Sequence, residues 1–366
     1  MLLMMKISPL ACGIALALAV AHAQTPSDGG EGGGEVSAAA TAVLEASRRG
    51  DFAGALEAAV DGAAAGDAAS TYLLGQLHEQ GKGIPKADPA RAVELYQRAA
   101  DLGLPEAVAA YARCLEAGIG VPEPDFDKAF FYWEQAAEAG SATAQARLGF
   151  AEWQGQGRPP SAEAARPWLE NAAEAGDLDG MFYFSHFLEH GLGGVERDVG
   201  AAIQLCARAA DSGQIDAMNQ MGMFYLAGTG LPQDRVAASG WFRLAADSGS
   251  AHGMMNLAEC YAQGGGVVAN PAQAVVLTSR AARLGLGRAQ HAFGTILEEG
   301  AAGLAKSEVF ALAYYLRAAA SGYSAAPADA ERLRASLAPP EVAQAEALST
   351  NPTFHLEPGE LAPAAE

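Results

Sequence analysis

The motif Ala-Ala-x-x-Gly recurs at seven points of nearly constant spacing, and this recurrence constrains the fold more than any other feature of the chain. Its glycines are Gly103, Gly140, Gly176, Gly213, Gly249, Gly285 and Gly322, each 36 or 37 residues after the one before. A period in this range marks a solenoid of helix pairs, in which each unit buries its apolar face only against its neighbours. Independent globular domains are therefore excluded over this stretch. Half of the residues are apolar but only 7% are aromatic, so small side chains, chiefly alanine, carry much of the apolar count. That composition favours close-packed helices over sheets.

The motif also fixes helix ends. Fifteen residues before each glycine stand Asp88, Asp125, Ser161, Asp198, Asp234, Asn270 and Ser307. All are side chains whose oxygen can accept from the open N–H groups of a first helical turn. The glycine at the far end can take the left-handed conformation that stops a helix, so cap and stop bracket a second helix of about 20 Å in each pair. Inside it, eleven residues before the glycine, the residue is always alanine (Ala92, Ala129, Ala165, Ala202, Ala238, Ala274, Ala311), as a close helix contact demands. Eight before the glycine come Leu95, Tyr132, Trp168, Leu205, Trp241, Leu277 and Tyr314, the expected knobs against that column.

A second glycine series, Gly81, Gly118, Gly155, Gly191, Gly228, Gly264 and Gly300, ends the first helix of each pair and usually opens a Gly-x-Gly turn. One such turn suggests a phosphate cradle; seven at one period are hairpin loops. Six residues upstream lie Gly75, Ala112, Gly149, Ser185, Gly222, Ala258 and Gly294, always small, where first helices are expected to approach their neighbours closely.

The string Met221-Gly222, Tyr225, Gly228-Thr229-Gly230-Leu231, Asp234, Ala238, Trp241-Phe242 and Ala245-Ala246-Asp247-Ser248-Gly249 resembles the Sel1-like repeat, a relative of the tetratricopeptide repeat. Seven copies cover 67–322. The resemblance implies an all-α fold, a right-handed α/α superhelical solenoid of antiparallel helix pairs whose first helices line a concave groove that holds protein segments. Two departures bear on local geometry: Glu152 occupies the usual aromatic column of repeat three, and Gly300-Ala301-Ala302-Gly303 lengthens the last loop. Residues 37–66 resemble a degenerate opening pair and 323–350 closing helices, which would cap the array. The tail 351–366 has Pro, Gly and acids and little to bury, so it is expected to be disordered.

At the other end, Lys6, an apolar stretch from Leu10 to Val20, and Ala21-His22-Ala23 read as a secretory signal over 1–23, cut after Ala23. The apolar run is short of the roughly 20 residues a membrane span needs, and Cys12 precedes the cleavage region, so no membrane anchor is expected. A Gly, Ser, Pro and acid mixture over 24–36 follows as a flexible linker. The expected location is periplasmic or secreted. Cys114, Cys206 and Cys260 then remain, an odd number placed in different repeats, and read as buried thiols. The formal charge of -20 disfavours nucleic acid and anionic lipid as partners.

Two enzymatic chemistries bear on this pattern. His186-Phe187-Leu188-Glu189-His190 matches the His-x-x-Glu-His pattern in which two imidazoles ligate zinc and the carboxylate serves as base. Glutamate recurs in the Glu189 column (Glu79, Glu116, Glu298), and His190 falls in a mostly polar column, so a solvated helix face is expected, with no metal and no cofactor. The cysteine-rich branch of the resembled family is linked to penicillin binding and β-lactamase activity, which would call for a serine three residues before a lysine. Lys82, Lys86, Lys128 and Lys306 are preceded there by Glu79, Gly83, Asp125 and Gly303. The expectation is a non-enzymatic scaffold with protein partners.

Its binding surface is expected on the first-helix positions three before, one after and four after the small column, which share a face. In repeats two to five these are Ala109, Arg113, Glu116; Ala146, Phe150, Trp153; Phe182, His186, Glu189; and Asn219, Met223, Leu226. Phe150, Trp153, Phe182, Met223 and Leu226 would form an apolar strip flanked by Arg113, His186 and Glu189, with Gln76 and Glu298 among the polar residues of the terminal repeats. Aromatic and Met anchors beside a charge are the makeup of an interaction hot spot. The alternative is that these side chains pack against adjacent first helices.

Overall fold

The computed structural model describes residues 37–156, 159–300 and 304–356. Among these the chain forms eighteen α-helices and no strand, and it is a helical solenoid. The expected signal 1–23 and linker 24–36 lie outside the described residues, as do 301–303 of the last loop and 357–366 of the tail.

The chain divides into two compact units whose boundary falls inside the helix Leu178–His190. The N-terminal unit runs to Phe184 and takes in Leu192–Gly194. It starts with helices Ala38–Arg48 and Phe52–Ala64, followed by three hairpins: Ala68–Gln80 with Pro89–Asp101, Pro105–Ala117 with Phe126–Glu138, and Ala142–Gln154 with Ala162–Glu174. The C-terminal unit holds Ser185–Gly191, then Val199–Asp211 and three more hairpins: Ile215–Ala227 with Arg235–Asp247, Ala251–Gln263 with Pro271–Arg283, and Gly287–Glu299 with Glu308–Ala320. Helices Ala326–Ser336 and Pro339–Thr350 follow. Within each unit helices pack chiefly on their sequence neighbours, the one-dimensional arrangement of a repeat array.

The helix ends form as the capping chemistry dictates. Asp88 accepts from the N–H of Arg91 (3.0 Å), Asp198 from Ala201 (2.9 Å) and Asn270 from Gln273 (3.1 Å); the other four second-helix caps act likewise. Each such cap stabilises by about 1 kcal/mol. The motif glycines take φ between +81° and +100°, and the first-helix glycines between +67° and +75°, the left-handed region where a Cβ is costly.

The alanine column is buried throughout. What fills the small column is not a neighbouring first helix, as expected, but the second helix of the same pair. A Cβ added at Gly75 would lie 2.7 Å from Tyr96, at Gly149 2.6 Å from Leu169, at Gly222 2.5 Å from Phe242 and at Gly294 2.8 Å from Tyr315. The knobs are thus seven residues before the motif glycine, and the close approach is between the two helices of one pair. In the series one residue earlier, Leu95, Leu277 and Tyr314 are buried, whereas Tyr132, Trp168, Leu205 and Trp241 are only half-buried. A step of one residue turns the helix by about 100°, which moves a side chain from the pair interface to its edge.

The tail also departs from expectation over 351–356. Arg317 donates from Nη1 to the Phe354 carbonyl (2.8 Å) and from Nε to that of Ser349 (3.1 Å), and Ser279 donates to the carbonyl of Leu356 (2.8 Å). The Phe354 ring stacks on Phe310 at 5.8 Å, and Leu356 is buried. Two apolar side chains and satisfied carbonyls suffice to hold this short segment on the last hairpin of its unit.

The three cysteines are buried, in the first helices of repeats two and six and the second helix of repeat four. Burial pushes the Cys206 thiol up to about 12 and raises that of Cys260, so neither is an activated thiolate.

Candidate protein-binding face

First helices meet their own second helices through the small column, so the opposite side of each is left to the next first helix or to solvent. The structure sorts the expected face into positions that seal and positions that show. Three before the small column, Ala109 and Ala146 are buried. Gln76 is buried too, donating to the Tyr72 hydroxyl at 2.9 Å, and so is not part of a polar terminal surface.

In the N-terminal unit, Phe150, Trp153 and Phe182 are half-buried. Phe150 stacks on Tyr183 (4.8 Å, 29°), meets Trp153 edge-on at 6.3 Å, and carries the Arg147 guanidinium over its ring at 5.6 Å. Phe182 tilts against Tyr183 at 5.4 Å. Phe150 thus packs on the next first helix, Trp153 and Phe182 meet rings of their own helices, and part of each ring faces solvent. Arg113 is committed to Glu79, with Nη2 at 2.8 Å from both carboxylate oxygens.

In the C-terminal unit, Met223 is 39% exposed, with its sulfur 3.9 Å from Asn256 Nδ2, which also donates to Asn219 at 2.8 Å. Leu226 lies instead on the edge of the core formed by Ala238, Phe242 and Leu257. His186, Glu189 and His190 come together on one turn. The two imidazole rings are 4.1 Å apart, and the His186 and His190 Nδ1 atoms lie 4.0 and 3.9 Å from Glu189 Oε2. Burial and the neighbouring His190 lower the pKa of His186, which favours its neutral form.

Sequence reasoning missed the role of the glutamate column. Glu79 accepts from the Tyr96 hydroxyl (2.6 Å) and from Arg113; Glu116 from Trp133 Nε1 (3.1 Å) and Arg147 Nε (3.2 Å); Glu298 from the Tyr315 hydroxyl (2.9 Å) and Arg332 Nη1 (2.6 Å). Each carboxylate ties its own second helix to the following helix in charge-assisted hydrogen bonds. Arg332, with help from Tyr315, holds Glu298 below the usual carboxylate range, and burial drives Tyr315 up to about 12. The signal was present as Tyr96, Trp133 and Tyr315, each seventeen residues after its glutamate. No helix among the described residues is long and apolar enough to cross a membrane.

The comparisons agree with this geometry. The Sel1 repeat matches seven times in succession, at 68–104, 105–141, 142–177, 179–214, 215–250, 251–286 and 287–323. The chain belongs to the Sel1 repeat family. A protective antigen of uropathogenic Escherichia coli with this fold, c5321, is 25% identical with a TM-score of 0.62, over 93% of this chain and 75% of that one. A Sel1 repeat protein of Oxalobacter formigenes is 24% identical with a TM-score of 0.57, over 67% of this chain and 97% of that one. A search of curated proteins finds no match. Sel1 repeats, like tetratricopeptide repeats, are generally interaction scaffolds and typically not enzymes, so protein partners are what this fold suggests.

Proposed function

We propose that this Sel1 repeat chain is an exported, periplasmic adaptor that captures a protein segment on its first-helix face, in envelope signalling or in exopolysaccharide or cell-envelope assembly. The observation that carries the binding part is the run of half-exposed rings Phe150, Trp153 and Phe182, on successive first helices of the N-terminal unit. Large rigid rings with a solvent-facing edge give contact area at low entropic cost. The periplasmic part rests on Lys6, the apolar stretch Leu10 to Val20 and Ala21-His22-Ala23. That the similar Escherichia coli protein is a protective antigen is in keeping with it.

The test is affinity purification from the native host with the chain and its Phe150→Ala/Phe182→Ala variant, followed by titration of the partner so found. The variant should lose about 2 kcal/mol or more of binding, roughly 30-fold. Equal binding by both would overturn the assignment of this face. Fractionation of the host tests location: recovery with the periplasmic contents of a chain starting at Gln24 supports export, and a cytoplasmic chain retaining Met1 contradicts it.

A further inference from the structure

Glu189 stands in the column of Glu79, Glu116 and Glu298, yet its surroundings differ. Each of those three receives an arginine, from Arg113, Arg147 and Arg332. At Glu189 the donor in that role is the neutral amide of Gln220, with Nε2 at 3.1 Å, and seventeen residues on stands Cys206 where the others have Tyr or Trp. Beside the carboxylate sit instead two imidazoles from its own helix turn, and one ligand atom each from His186, Glu189 and His190 all lie within 4.8 Å of one another.

We propose that His186, Glu189 and His190 bind a divalent first-row transition ion of the zinc class. Two imidazole nitrogens and one carboxylate oxygen suit Zn²⁺, Cu²⁺ or Ni²⁺, whereas Ca²⁺ and Mg²⁺ require an oxygen shell. Positions i, i+3 and i+4 put all three donors on one face of one turn. Donors at about 2.0–2.1 Å from a tetrahedral ion stand about 3.4 Å apart, so these three close by about 1 Å on binding. Rotamer adjustment supplies that movement, since the side chains of His186 and His190 are 37% and 47% exposed. The carboxylate itself is oriented from outside by Gln220, and the Glu189 carbonyl is held by Arg197 Nε at 2.9 Å. The ion supplies the positive charge that arginine supplies to the other three glutamates. Three protein donors leave a fourth position for water or for a donor from elsewhere. The site stands whether or not the aromatic face binds a partner.

The test titrates the metal-depleted full chain with ZnCl₂ by calorimetry and with CoCl₂ by absorption, where tetrahedral Co²⁺ gives intense visible bands. One ion per chain is expected, along with a rise in Tm. Gln220→Leu should weaken binding about 10- to 100-fold, and His190→Ala and Glu189→Gln at least as much, while His252→Ala should leave it unchanged. Glu189→Gln is isosteric and His190 lies on an exposed turn, so far-UV circular dichroism should match the wild type. No saturable binding overturns the proposal. So does binding that survives His186→Ala/His190→Ala, which puts the ion elsewhere, or binding indifferent to Glu189→Gln, which reduces the site to an adventitious imidazole pair.

Discussion

Glu79 and Glu116 occupy in repeats one and two the column that Trp153 occupies in repeat three, and this one column divides the N-terminal unit into two kinds of surface. In the first two repeats the carboxylates collect an aromatic donor from the second helix and an arginine from the next first helix, so the face is stitched shut. In repeat three the column is an indole, the residue seventeen later is Glu170, and Phe150 and Tyr183 build an aromatic layer around it. The same helical grammar therefore yields a structural seam or the aromatic face proposed as a docking surface, depending on whether the position can form a hydrogen-bonded ion pair. A seam is valuable for stability and offers a partner little, since its groups are already satisfied.

The largest expected effect tests the packing both surfaces stand on. Gly149→Leu drives a side chain into Leu169 and should cost about 3 kcal/mol, the upper range for overpacking, in urea denaturation. Gly240, in the helix Arg235–Asp247 with nothing near its missing Cβ, is the counterpart: Gly240→Ala should gain about 0.4–1 kcal/mol. Next comes the seam itself. Arg113→Met removes a charged partner from half-buried Glu79 and should cost about 1.5–3 kcal/mol of stability while leaving partner affinity nearly intact. Phe150→Ala/Phe182→Ala reverses this pattern. Binding falls by about 2 kcal/mol, and stability by only about 1 kcal/mol through the lost Phe150–Tyr183 stack.

The smallest effect is a pH slope. Asp177 caps the helix Leu178–His190, accepting from Gly180 N–H (2.9 Å) and from Thr143 Oγ1 (3.1 Å). Burial, and then the charge of Asp179, push it up to about 6. A carboxyl raised in the folded state binds its proton more tightly there than in the unfolded chain, so its contribution is largest below the unfolded value and is lost as pH rises through 6. Stability should thus decline between about pH 4 and 6, and Asp177→Asn, which keeps a capping oxygen, should flatten that slope in denaturant titrations.

What the sequence made legible was local. Caps such as Asp88 and stops such as Gly103 act within a turn of chain, so spacing alone places the helices. The small column meets its own second helix, at Tyr96 and Phe242, and not the neighbouring first helix expected there, because small or periodic positions mark a contact face without naming what covers it. For the same reason Ala109, Ala146 and Leu226 were placed on the open face although the first two are buried and the third borders a core. The glutamate seam depended on residues 31 and 34 positions away, Arg147 for Glu116 and Arg113 for Glu79, which nothing in the local sequence pairs. The His186, Glu189 and His190 turn was visible as a motif, but only the contrast between Gln220 and the arginines elsewhere distinguishes it from a solvated face.

The central claim, that the aromatic first-helix face of repeat three is where a partner docks, is tested most directly by site-specific photocrosslinking in the native host. A photoreactive phenylalanine analogue is placed at Trp153 in one strain and, in another, at Phe131, an exposed ring on the second helix of repeat two. The account predicts a discrete crosslinked partner from position 153, lost on adding Phe182→Ala, and none from position 131. A partner captured equally from both positions, or from 131 alone, would contradict it.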